Sequence, residues 1–111
     1  METNKVDVIE LTRGFRREPN VETALHILQW ELGDLSKSTV YANWHPNLAP
    51  AYRGESKLAL AGLIFQLHVV VKLLDLDFDE LFSLGIEQVK ERIKDIEKRS
   101  GRFEHYEGDR G

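Results

Sequence analysis

The chain has 111 residues, with 15 basic side chains, 19 acidic side chains and no cysteine. This length suits one domain with its own core, and the lack of cysteine excludes disulfides, thiolate metal sites and cysteine nucleophiles. The net charge of -4 argues against a partner that is a nucleic-acid polymer. The amino terminus lacks a basic segment followed by an apolar run, so no secretory signal is predicted and the expected location is cytoplasmic.

The first half of the chain predicts two helices. The first is expected over residues 5–16. Asn20 is a suitable N-cap for the second, over residues 21–41, in which leucines recur at helical spacing. Residues 43–55 contain two prolines and are expected to form a loop.

The second half of the chain also predicts two helices. The third is expected over residues 55–74 and is apolar on most sides, which is typical of a central helix. Its uncharged run, Leu58–Val71, is shorter than the ~20 residues of a membrane span, so no membrane association is expected. Asp77 is a suitable N-cap for a fourth helix over residues 78–100, and residues 102–111 are expected to fray.

The fourth helix has one narrow apolar stripe. Its members recur at intervals of four, three, four and three residues, as Phe82, Ile86, Val89, Ile93 and Ile96. No segment alternates apolar and polar residues as a strand would, so the sequence predicts an all-α, four-helix bundle. A single chain of this size cannot cover the apolar third helix, so a second subunit is expected, in a homodimer or homotetramer.

Two acidic residues of the second helix lie where apolar residues are expected. Each residue turns a helix by about 100°, which places Glu31 and Asp34 inside the apolar arc of that helix. Carboxylates there are costly unless something compensates them, and carboxylates at positions i and i+3 can share a divalent cation. Pairing with Lys or Arg, or loose packing that admits water, would compensate them equally well.

The third helix presents a stripe of mostly small residues. Glu55, Ala59, Gly62 and Gln66 lie along it, and the small residues permit close approach of another helix. The same small residues can leave space for a bound molecule beside the two acids of the second helix. Both interpretations remain open.

The segment 43–55 contains further candidates for substrate contact. Trp44 and Tyr52 can stack on a base, and Arg53 can meet a phosphate. Alternatively, the two aromatic rings cover the end of the bundle. With Gln66 of the third helix, these residues form the candidate substrate-binding set.

A family resemblance follows from the acidic segment of the second helix. The sequence Trp-Glu31-Leu-Gly-Asp34-Leu resembles the E-E-x-G-E-L segment of MazG-like nucleotide pyrophosphohydrolases, which belong to the all-α NTP pyrophosphatase superfamily. The apolar stretch 63–71 and the segment 74–80 are similar to the family's later apolar stretch and its L-G-I-D-L-E-E phrase. The resemblance covers about residues 20–100.

The resemblance implies a fold, a reaction and a metal site. The family cleaves nucleoside triphosphates to the monophosphate and pyrophosphate, with Mg²⁺ or Mn²⁺ held by two acidic pairs. Glu31 and Asp34 match the first pair, but Ala59 and Gly62 stand where the second pair is expected. The implied metal ligands are therefore the first pair with Glu55, which lies one turn before Ala59.

The missing acids leave three hypotheses about function and leave open whether the chain is an enzyme. It is a pyrophosphohydrolase with a rearranged site, a non-catalytic relative that binds a nucleotide or a partner, or a helical dimerisation module. Because charge neutralisation is the main catalytic contribution in phosphate chemistry, loss of two carboxylates should cost much of the rate.

Overall fold

The computed structural model describes residues 6–102 and confirms the all-α prediction. Its elements in chain order are α1 (Val8–Arg13), α2 (Val21–Trp44), a 3₁₀ turn (Pro46–Leu48), α3 (Ala49–Leu73) and α4 (Phe78–Arg102). No strand occurs within this part of the chain. The elements fall into two compact units, one ending at Leu76 and the other beginning at Asp77. Most of the tail predicted to fray lies outside the described residues.

Side-chain caps fix where α2 and α4 begin, as the sequence predicted. The carboxamide oxygen of Asn20 accepts a hydrogen bond from the backbone N–H of Thr23 at 2.8 Å. The carboxylate of Asp77 accepts one from the N–H of Glu80 at 2.9 Å. Each bond satisfies an N–H group that has no partner within its helix.

Helix α1 is shorter than the predicted range 5–16. The carboxylate of Asp7 accepts two backbone hydrogen bonds and caps the helix, which therefore begins at Val8. It ends at Arg13, whose guanidinium donates hydrogen bonds to the carboxylate of Glu18 and lowers the pKa of that carboxyl group. Both partners of this ion pair are exposed, so it adds little to folding stability.

The prediction of a loop over residues 43–55 is wrong. Helix α2 continues to Trp44 and α3 begins at Ala49, so only a short connection remains. Pro46 and Pro50 each lie in the first turn of a helical segment. The backbone N–H that proline lacks has no intrahelical partner at such a position, so proline begins these helices rather than breaking them.

Helices α2 and α3 form an antiparallel hairpin. Facing residues run in opposite directions along the two helices, as in the pairs Tyr41–Tyr52, Ser38–Ser56 and Glu31–Gly62. The hydroxyl groups of Ser38 and Ser56 share a hydrogen bond of 2.6 Å, which satisfies the buried Ser38 side chain. Helix α1 packs against α3 on the same unit.

Small and β-branched residues form the core of this unit. The buried apolar residues are Ala24, Ala49, Ala59, Val69 and Val71. Short side chains let the two long helices approach closely, because ridges and grooves interdigitate over a small interaxial distance. At these buried positions, small side chains permit close contact between α2 and α3.

Helix α3 exposes much of its apolar surface. Leu58 is 74% exposed, and Leu60, Ile64 and Leu67 are also exposed. Exposed apolar residues that follow one another along a helix indicate a surface that something else covers.

One helical segment of the described chain, Pro46–Leu73, is long and apolar enough to cross a membrane by length and composition. A single such helix is weak evidence, because the core helix of a soluble protein has the same properties. Its first half carries Arg53, Glu55 and Lys57, which are expensive to place inside lipid.

We expect the seam to carry much of the stability of this unit. Val69 is 1% exposed, so Val69→Ala should lower the free energy of unfolding by about 2 kcal/mol through lost burial and a residual cavity. Val40→Ala makes the same chemical change on α2 at a residue that is 37% exposed, and it should cost far less. Chemical denaturation of both variants measures the difference, and equal losses would contradict this assignment of the core.

Candidate acidic cavity on the helical hairpin

Three acidic residues from two helices line one cavity on the hairpin. Glu31 and Asp34 lie one turn apart on α2, and Glu55 lies near the beginning of α3. The cavity has a volume of about 420 Å³. The antiparallel register brings Glu55 to this place, because α3 returns along α2 from its far end.

A basic side chain that the sequence analysis did not select also lines the cavity. Lys37 follows Asp34 by three residues, and its side chain lines the same cavity. Its spacing from Asp34 was the available signal, since residues three apart are neighbours on a helix surface.

The carboxylate of Glu31 packs against the backbone of α3 at Gly62. A Cβ atom on Gly62 would lie 2.5 Å from Oε2 of Glu31 and 2.7 Å from its Cδ. Only glycine therefore leaves room for the carboxylate in this position. Ala59, one turn earlier, is buried beside the same cavity.

Ala59 and Gly62, which stand where the MazG-like family has its second acidic pair, both take part in packing between α2 and α3. Ala59 contributes a buried methyl group, and the carboxylate of Glu31 lies where a side chain at position 62 would be. Of the two open interpretations of the small stripe, the structure shows close approach at Gly62, where Glu31 of α2 packs against it. An acid at either position would have to displace a group now in the seam.

Metal ligation by this donor set would need water and substrate oxygens besides the carboxylates of the protein. Within residues 6–102, no three His, Asp or Glu side chains are grouped closely enough to hold one metal ion together. Mg²⁺ commonly takes only one or two protein carboxylates and completes its shell with water and phosphate oxygens. Glu31 and Asp34, at positions i and i+3, supply such a pair.

A second cavity, of about 320 Å³, lies further along the same seam and includes Gln66. Ile27, one turn before Glu31, and Phe15 contribute to its largely apolar wall. Because Gln66 lies one turn beyond Gly62, the two cavities flank the contact between Glu31 and Gly62. A largely apolar cavity with a few polar side chains, here including Gln66, Asn20 and Arg17, is typical of a site for a small organic molecule.

The other three substrate candidates lie away from both cavities. The ring of Tyr41 packs against Tyr52 at a centroid distance of 5.5 Å and against Trp44 at 5.7 Å. These rings cover the end of the hairpin where α2 turns into α3. Arg53 lines a different groove on another face of α3.

No protein-family model matches this chain, and no curated protein or solved structure matches it either. The likeness to MazG-like enzymes therefore rests on the sequence motifs. The acidic pair of α2 and the phrase around Asp77 are the residues that carry it.

We expect alanine to affect the two glycines of this region differently. Gly33→Ala should stabilise the chain by about 0.5–1 kcal/mol, because its Cβ would meet nothing within 4 Å and alanine favours a helix. Gly62→Ala should stabilise it less, because the carboxylate of Glu31 must first move out of the seam. Chemical denaturation compares the two, and an equal gain in both variants would contradict the placement of Glu31 against Gly62.

Proposed function

We propose that this chain is a MazG-like protein that hydrolyses nucleoside triphosphates to the monophosphate and pyrophosphate. The observation that carries the proposal is the common cavity of Glu31, Asp34 and Glu55 on the helical hairpin. Carboxylates that line one cavity commonly supply part of the ligand set for the metal ion that phosphate chemistry requires, and water and phosphate oxygens supply the rest.

In this proposal, the carboxylates of Glu31 and Asp34 would hold Mg²⁺ or Mn²⁺, and Glu55 lines the same cavity from α3. Such an ion would supply charge neutralisation for the phosphates and a more acidic bound water. Lys37 offers its ammonium group to a phosphate oxygen from the same cavity. Because two of the family's four carboxylates are missing, we expect slow turnover.

Gln66 is the substrate residue that the geometry favours for contact with the base. Its cavity adjoins the acidic one along the seam, and its amide group both donates and accepts hydrogen bonds. Phe15 offers a ring face at the same cavity. Trp44, Tyr52 and Arg53 line neither cavity, so the proposal gives them no role in binding substrate.

A second candidate function is a non-catalytic MazG-like relative that binds a nucleotide or serves as a helical dimerisation module. The buried methyl group of Ala59 and the contact between Gly62 and Glu31 favour it. They show structural use of the two positions at which a complete metal site would need acids. In this alternative, Glu31 is held in place by packing rather than by an ion.

The proposal includes assembly into a homodimer or homotetramer in the cytoplasm. A second copy would cover the exposed apolar residues of α3, which begin at Leu58. The acidic net charge argues against a nucleic-acid polymer as partner. The charged residues in the first half of α3 argue against a membrane partner.

Release of pyrophosphate tests the proposed reaction. A panel of canonical and modified nucleoside triphosphates should be assayed with Mg²⁺ and with Mn²⁺. Glu31→Gln keeps the shape of the side chain but removes its charge, so we expect turnover to fall about a hundredfold or more. Glu22→Gln is the matched control, because Glu22 lies in the first turn of α2 and does not line the cavity.

The outcomes separate the candidates. Turnover that is unchanged in Glu31→Gln would contradict the proposed site and indicate another source of activity. Absence of turnover with every nucleotide, together with Mn²⁺-dependent nucleotide binding by equilibrium dialysis, would support the non-catalytic relative. Absence of both turnover and nucleotide binding would leave the dimerisation module.

A further inference from the structure

Helix α4 has the residue pattern of a coiled-coil seam. From residue 86 to residue 100 its apolar residues lie only at heptad positions a and d: Ile86 and Ile93 at a, Val89 and Ile96 at d. Phe82 extends the seam by one further d position. A helix that packs on a globular core usually has a wider apolar face, so this narrow stripe is typical of a coiled coil.

The stripe is exposed in the structure of one chain. Phe82, Ile86, Val89, Ile93 and Ile96 are 43–64% exposed. A regular row of half-exposed branched and aromatic side chains on a helix of 25 residues needs a partner with the same periodicity. A second copy of α4 has that periodicity by definition.

Charges beside the stripe indicate how two copies are oriented. In a parallel pair, position g of one helix faces position e of the next heptad on the other. Arg92 occupies g and Glu97 occupies the following e, so each copy would offer opposite charges to its neighbour. An antiparallel pair would instead bring the g residues of the two copies together. Arg92 and Arg99 both occupy g positions, so like charges would face each other in that arrangement.

The ion pairs within α4 do not involve Arg92 or Glu97. Lys90 pairs with Glu87, and Arg99 pairs with Asp95, each on the same helix. Among the described residues, Arg92 and Glu97 make no ion pair. The two charges that would face each other in a parallel pair, Arg92 and Glu97, are thus not engaged in an ion pair on their own helix.

We propose that α4 helices from separate copies of this chain pack in parallel and in register along the stripe from Phe82 to Ile96. The proposal deepens the homo-oligomer part of the proposed function, because it names the surface and the orientation, and it does not depend on catalysis. The seam is only about two heptads long, so it acts together with another interface between the copies. Branched residues at position d favour three or four strands over two, so we expect more than two chains.

Sedimentation of the full chain and its charge variants tests the proposal. Arg92→Glu and Glu97→Arg each place like charges across the seam, so each should raise the dissociation constant about tenfold or more. The double variant exchanges both charges and should return to within about threefold of the original chain. Lys98→Glu and Glu91→Arg make matched charge changes at position f, away from the stripe, and should have little effect.

A cysteine tests the orientation, because the chain has no cysteine of its own. Ser100 occupies an a position, where parallel and in-register copies place the same residue side by side. Ser100→Cys should therefore form a disulfide between copies under mild oxidation. Glu91→Cys, on the outer side of the helix, should not.

Two results would overturn the proposal. If the chain assembles but neither charge variant weakens assembly and Ser100→Cys does not cross-link, another surface forms the oligomer and α4 does not. If the chain stays monomeric at all concentrations, both the α4 proposal and the proposed homo-oligomer fail. The proposed reaction is tested separately by pyrophosphate release, so failure of the α4 proposal and failure of the proposed reaction are distinguishable.

Discussion

Close packing between α2 and α3 is the constraint on which the candidate site depends. The seam contains small residues, and its register fixes which side chains of the two helices meet. This register brings Glu55 to the acids of α2 and places Glu31 over Gly62. It also separates the acidic cavity from the apolar cavity of Gln66 by about one helical turn. A larger residue in the seam would therefore alter both cavities at once.

Much of this architecture follows from the sequence because helices are local. Leucine spacing and the caps Asn20 and Asp77 were sufficient to predict two helix starts. The connection at 43–55 was not predictable in the same way, since proline both ends helices and begins them. Only the packing of α3 against α2 shows that Pro46 and Pro50 begin helical segments rather than forming a loop.

The candidate site was predictable in part, for a physical reason. A helical wheel reports which face of one helix a residue occupies, so it placed Glu31 and Asp34 inside the apolar arc of α2. The structure puts Glu31, half-buried, against α3 and leaves Asp34 exposed to solvent. It does not report what lies across the seam, because the distance between helices depends on every side chain between them. The contribution of Lys37 and the separate placement of Trp44 therefore needed the structure.

The short connection between α2 and α3 also has a consequence for the timing of synthesis. Contacts in a helical hairpin join residues that are close in sequence, and such hairpins form within microseconds to milliseconds. Ribosomes add about 5–20 residues per second, so completion of the 25 residues of α4 takes about a second or more. Once both of its helices have left the ribosome, the hairpin therefore forms much faster than a helix of this length is synthesised. Neighbouring chains on one polysome would meet its exposed leucines as a formed surface rather than as an unfolded segment.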